Sequence, residues 1–155
     1  MIKPFSLQPL VHLAQQKNDA ATKKLGQLNQ QNQTAQQKLD TLQQYRKDYQ
    51  LKFQEEAKNG MAPVDMKNFQ DFIGRLDQAI QQQTAVIEKT RAGVNNGRTE
   101  LMDTTRRMKS FDTLAQRHVE TEKKLEAKTE QRIQDEHTGR FAAYRAAEKN
   151  GEEQS

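Results

Sequence analysis

Ile73, Ile80, Ile87, Val94, Leu101, Met108 and Ala115 recur every seven residues without a break. An apolar row with that step predicts a helix that lays one seam against another helix. Leu7, Ala14, Ala21, Leu28, Ala35, Leu42 and Tyr49 form a second row with the same step. Between the rows lies Asn59-Gly60-Met61-Ala62-Pro63, the only strong breaker in the middle of the chain. The pattern predicts an all-α fold, two long helices in an antiparallel coiled-coil hairpin. The hairpin spans residues 1–118, with its turn at about 59–63. Residues 119–155 follow as a charged helical extension, expected to be partly disordered when free.

Heptad letters follow from the rows. In the first helix Val11, Asn18, Leu25, Asn32, Leu39, Arg46 and Phe53 take position a, and the Leu7-to-Tyr49 row takes d. In the second, the Ile73-to-Ala115 row takes a; Phe69, Leu76, Gln83, Thr90, Gly97, Thr104, Phe111 and His118 take d. An antiparallel hairpin sets a against d, with facing residue numbers adding to a constant. A turn centred near Met61 makes that sum 122. Asn18 then meets Thr104 and Asn32 meets Thr90. An unpaired buried polar group would cost about 1–3 kcal/mol, so polar against polar is the economical match. Bulk matches too: Leu25 faces Gly97, and Ala35 faces Ile87. A shift by one heptad would set Asn32 against Gly97 and Asn18 against Phe111. The polar layers Asn18, Asn32, Thr90 and Thr104 therefore read as register-setting residues.

The ends carry their own signals. Ser6 is expected to cap the first helix, with Pro9 tolerated in its first turn. Gly60 suits the left-handed position that closes the first helix, and Pro63 the first position of the second. Asp65 falls in that helix's first turn, where negative charge is favoured.

The two edges of the seam differ. Edge e is polar throughout: Gln8, Gln15, Thr22, Asn29, Gln36, Gln43 and Gln50, with Gln70, Asp77, Thr84, Arg91, Arg98, Thr105 and Asp112. Edge g carries Tyr45 on one helix and Phe72, Ala79 and Val86 on the other. Exposed aromatics near the end of a polar hairpin are candidate interface anchors. Leu42, Tyr49 and Leu76 border them as seam residues. Leu10 and Leu114 form a smaller patch at the open end, read as closing the hairpin. In the extension, Phe141 and Tyr144 share one helical face and are the candidate anchors there, on a segment too polar to hold a helix unaided.

Composition narrows the function. The 155 residues are 33% hydrophobic and 30% charged, which suits a chain that buries one stripe. The formal net charge is +4, spread along the chain and interrupted by Asp and Glu, unlike the clustered charge of a nucleic-acid binder. No apolar run is long enough for a membrane span, and Met1 to Leu7 lack an apolar signal core, so a cytoplasmic location without membrane insertion is expected. His12, His118 and His137 have no metal-ligand spacing, no glycine loop suits a phosphate, and a two-helix hairpin has no deep cleft. The expectation is a protein without catalytic activity, metal or cofactor, monomeric when free.

Three stretches carry a resemblance: Phe5-Ser6-Leu7-Gln8-Pro9-Leu10, Leu39-Asp40-Thr41-Leu42-Gln43-Gln44-Tyr45-Arg46-Lys47-Asp48-Tyr49, and Asn68-Phe69-Gln70-Asp71-Phe72-Ile73-Gly74-Arg75-Leu76-Asp77-Gln78-Ala79-Ile80-Gln81-Gln82-Gln83. With the Asn-Gly turn and the charged tail, the chain resembles the FliJ family, the soluble coiled-coil component of the bacterial flagellar type III export apparatus. The resemblance implies a stalk-like part that couples the export ATPase ring and its regulator to the cytosolic domain of the membrane export gate. It also implies escort of empty export chaperones, peripheral association with the inner membrane, and a need for the protein in flagellum assembly, motility and chemotaxis. Carried over by position, the gate-binding surface comprises Leu42, Tyr45, Tyr49, Phe72, Leu76, Ala79 and Gln83. Phe141 and Tyr144 would serve a chaperone or the ATPase. Lys38, beside this surface, stands where the resemblance expects a neutral polar residue. The alternatives are the equivalent stalk of a virulence-type secretion system and a generic oligomerising scaffold.

Overall fold

The computed structural model describes residues 3–154. It contains two α-helices, α1 (Gln8–Lys58) and α2 (Pro63–Glu153), packed against each other. The break between them follows from backbone chemistry. Gly60 has φ 89°, a left-handed conformation that a Cβ would strain, and its N–H donates to the Ala57 carbonyl at 3.3 Å. Pro63 then opens α2, and Met66 N–H donates to the Ala62 carbonyl at 3.0 Å. At the start of α1 the expected cap is corrected. The Leu7 carbonyl accepts from Leu10 and Val11 N–H at 2.9 and 3.1 Å, so Leu7 rather than Ser6 occupies the capping position. Ser6 lies in the preceding turn.

The chain divides into two compact units. Unit 2, Gln16–Arg106, holds the turn and the two helical segments on either side of it. Its seam buries Ala21, Ala35, Leu39, Leu76, Ile87 and Val94. Ala35, Leu39 and Ile87 form the core cluster, with Ile80 packed on it. Small faces large here: Ala35 and Ile87 add to 122 in sequence number, as do Ala21 and Leu101. Gly97 is small because it must be. A Cβ there would lie 2.8 Å from Leu28 Cδ1 and 3.3 Å from Leu25 Cδ1. Leucines from α1 thus fill the space that the missing side chain leaves, a knob in a hole.

Unit 1 comprises Met1–Gln15 and Arg107–Ser155. Val11 and Ala14 are buried there. The Phe5 and His118 rings lie 5.3 Å apart, and His118 Nε2 is 2.8 Å from the Lys3 carbonyl oxygen. Leu10 and Leu114, read from sequence as closing the open end, are both exposed. From Lys123 to the end of α2 every residue is exposed, and the helix nevertheless continues to Glu153. The boundaries between the units fall after Gln15 and after Arg106.

Candidate functional site

The polar layers lie within the seam of unit 2. Thr90 Oγ1 donates to Asn32 Oδ1 at 2.8 Å, and Thr104 Oγ1 donates to Asn18 Oδ1 at 3.1 Å. Thr105 Oγ1 donates to the same Asn18 oxygen at 2.9 Å. Each threonine at a d position also lies within reach of its own helix: Thr90 of the Ile87 carbonyl and Thr104 of the Leu101 carbonyl, both at 3.0 Å. All four residues are half-buried, so each hydroxyl and amide meets a partner where water is scarce.

The surface carried over from the resemblance separates into two parts. Gln83 is 7% exposed, and its Nε2 donates to the Ala35 carbonyl at 2.9 Å across the seam. Leu76 is buried as well. These two are the buried part of the set, at the d positions that their heptad letters give them. Leu42, Tyr49 and Ala79 are half-buried. Tyr45 and Phe72 stand out at 59% and 40% exposed. Tyr45, Tyr49 and Phe72 line one shallow hollow of about 290 Å³, together with Lys52.

An aromatic stack supports that hollow from within. Phe72 packs on Tyr49 with ring centroids 4.3 Å apart at 44°, Tyr49 packs on Phe69 at 4.9 Å, and Phe69 on Phe53 at 5.5 Å. Tilted pairs at these distances hold their rings in place beyond what area burial alone provides. Phe53 and Phe69 were not assigned to the surface from sequence. Their signal was present, since they are facing a and d residues whose numbers add to 122. Val86, the next apolar residue along edge g, is 43% exposed and borders a second open hollow with Lys38.

Edge e is closed by polar contacts. Arg46 Nε donates to Asp77 Oδ1, and this hydrogen bond and the Asp77 charge raise the arginine pKa above its ordinary value. On edge g the cross-helix ion pair is Lys24 with Glu100 at 3.2 Å, exposed on both sides. Phe141 and Tyr144 are both exposed on the terminal part of α2, and the Arg145 guanidinium sits 5.0 Å from the Phe141 ring centre. Among the described residues no helix is long and apolar enough to cross a membrane, and no group of three or more metal-ligating side chains converges.

Comparison with known proteins gives two matches. The family described as Flagellar FliJ protein matches residues 3–149. A relative from Salmonella typhi, named Flagellar FliJ protein, is 27% identical over 142 residues, covering 92% of this chain and 97% of the relative.

Proposed function

The chain belongs to the FliJ family, and we propose that it acts as a non-enzymatic component of the flagellar type III export apparatus. In this reading it is a cytoplasmic, stalk-like coiled coil that couples the export ATPase ring to the membrane export gate. The observation that carries the reading is the exposed aromatic face near the turn. Tyr45 and Phe72 are exposed on a stack anchored by Tyr49 and Phe69, so the face is rigid and unfilled within unit 2. Rigid aromatics that lose little freedom on binding are efficient interface anchors. Leu42, Tyr49 and Ala79 form the half-buried floor.

The test is complementation of a deletion strain. Wild type restores swimming and filament export; Tyr45→Asp with Phe72→Asp restores neither, while the variant keeps its helical circular dichroism. A deletion strain that swims normally would instead favour the virulence-type stalk or the scaffold reading. Escort of empty chaperones belongs to residues 119–155. There Phe141 and Tyr144 stand exposed on a stretch whose neighbours are exposed as well. Removing residues 119–155 is expected to abolish chaperone capture and leave gate binding intact. Full chaperone affinity in the truncated protein would overturn that assignment.

A further inference from the structure

Edge g of unit 2 repeats one arrangement twice. Phe72 faces Lys52 across the edge, and the two line the same hollow. Val86 faces Lys38, and these two also share a hollow, of about 670 Å³. Three residues beyond each apolar side chain, one turn along α2, stands a further cation: Arg75 after Phe72, and Lys89 after Val86. Tyr45 and Ala79 face each other midway between these sockets. Lys38, Lys52, Arg75 and Lys89 are all exposed. Among the described residues none of them is in an ion pair. Two anions, Asp48 and Glu55, lie on the same side of α1; Asp48 also lines the Phe72 hollow, and its Oδ1 accepts from Gln44 Nε2 at 2.8 Å.

We propose that this edge is a groove for a third helix, an acidic amphipathic helix of a partner protein. The proposal rests on, and deepens, the contact role assigned above to Tyr45 and Phe72. The apolar residues Phe72, Ala79 and Val86 step by seven, as do Lys38, Tyr45 and Lys52. A ligand that matches a seven-residue step along about 21 Å of helix surface is itself a helix with that apolar period. An added strand is excluded, because two α-helices offer no free backbone edge. Four cations against two anions then select the sign of the ligand's flanking charges. Acidic residues two heptads apart would reach both sockets at once. Edge e is less suited: Arg91 and Arg98 flank no large apolar side chain, and in the one hollow that joins Leu51 to Lys47 and Arg46, Arg46 is already held by Asp77.

The test uses the full chain and two designed 21-residue helical peptides with one common apolar row. One carries Glu at the flanking positions and the other carries Lys. Calorimetry in low salt is expected to show the Glu peptide binding at least roughly tenfold more tightly than the Lys peptide, with the gap narrowing in high salt. Reversing the groove (Lys38→Glu, Lys52→Glu, Arg75→Glu, Lys89→Glu) inverts the preference. Reversing edge e (Arg91→Glu, Arg98→Glu) leaves it within about twofold, the size expected of distant charges. Equal binding of both peptides, binding of neither, or an equal effect of the edge e reversal overturns the proposal. So does a concentration-dependent dimer of the chain that the Glu peptide displaces, because the occupant is then a second copy. The two readings fail separately. If the Tyr45→Asp, Phe72→Asp chain exports normally while the peptide preference holds, the export-gate role falls and the groove stands. If that chain fails to export while the peptides show no preference, the groove falls and the role stands.

Discussion

Along Gln16–Arg106 the seam has two edges made from the same helices, and they meet solvent in different ways. On edge e, polar side chains satisfy one another: Arg46 holds Asp77, and Thr105 donates to Asn18. On edge g, Tyr45, Phe72 and Val86 remain exposed, and four nearby cations have no ion-pair partner among the described residues. The seam between the edges, apolar layers with matched polar pairs, is common to both, so it is not the source of the difference. Exposed aromatic surface has a cost in solubility, and the stacking of Phe72 on Tyr49 accounts for only part of what edge g leaves open, since Tyr45 and Val86 are exposed as well. Edge e thus shows what a face looks like when only folding acts on it, and edge g departs from that pattern.

The largest effect should come from the seam, which serves both edges alike. Ile87 is buried against Ala35 and Leu39. Its facing residue is alanine, so no large neighbour can collapse into the space it leaves. Ile87→Ala should cost about 3 kcal/mol, read by urea unfolding. A loss under about 1 kcal/mol would mean that the edges, rather than the seam, hold the hairpin together, and the comparison would have to be redrawn.

The same charge placed on each edge gives a smaller and more discriminating contrast. Phe72→Asp removes a ring that stacks on Tyr49 at 4.3 Å and should cost about 1–1.5 kcal/mol. Thr84→Asp, on edge e, replaces a hydroxyl bonded to its own helix at the Ile80 carbonyl and should stay within about 0.5 kcal/mol. Swimming should be lost only with Phe72→Asp. If both variants swim alike, the aromatic face is surface without a partner.

How far the sequence carried this picture depends on what each residue meets. Position a faces position d by geometry alone, so a turn near Met61 was enough to pair Asn18 with Thr104 and Asn32 with Thr90, and both pairs are hydrogen-bonded. Gly60 and Pro63 were legible because each has a backbone preference that few residues share. Backbone partners were harder. Gln83 takes a seam letter, yet its amide finds the Ala35 carbonyl, an acceptor that heptad letters do not display. Ser6 is a good capping residue, but the first turn closes on the Leu7 carbonyl instead. The terminal part of α2 was expected as a charged helical extension that is partly disordered when free, and the helix runs to Glu153.

The polar layers bear on the comparison because they keep the edges in register. Replacing Asn18 and Asn32 by Leu leaves Thr104 and Thr90 their Leu101 and Ile87 carbonyls, and takes a partner only from Thr105, which stands at the half-buried margin of edge e. Stability should therefore hold or rise by up to about 1 kcal/mol. The loss should fall on uniqueness, with mixed oligomers appearing in sedimentation velocity runs where the wild type gives one species. A single monomeric species in the double variant would assign register to the small-to-large packing at Gly97 and Ala35 instead.

The smallest effect should come from the ion pair that closes edge e. Arg46 and Asp77 touch, but their side chains remain 41% and 51% exposed, so water screens the attraction and holding two long side chains offsets much of it. Arg46→Gln with Asp77→Asn should leave the melting temperature within about 1 °C of wild type, and any difference should vanish in high salt. The pairing raises the arginine pKa, so its contribution is fully present through neutral pH and is lost only as pH rises into the strongly alkaline range. The wild type and the double variant should therefore show the same stability profile between roughly pH 6 and pH 9, where arginine stays charged and every other titrating group is common to both. A fall of several degrees in the double variant would make the pair a structural clasp. Edge e would then be specialised too, for holding the helices, and the open cations of edge g would have to be judged against a clasp rather than against a plain solvated face.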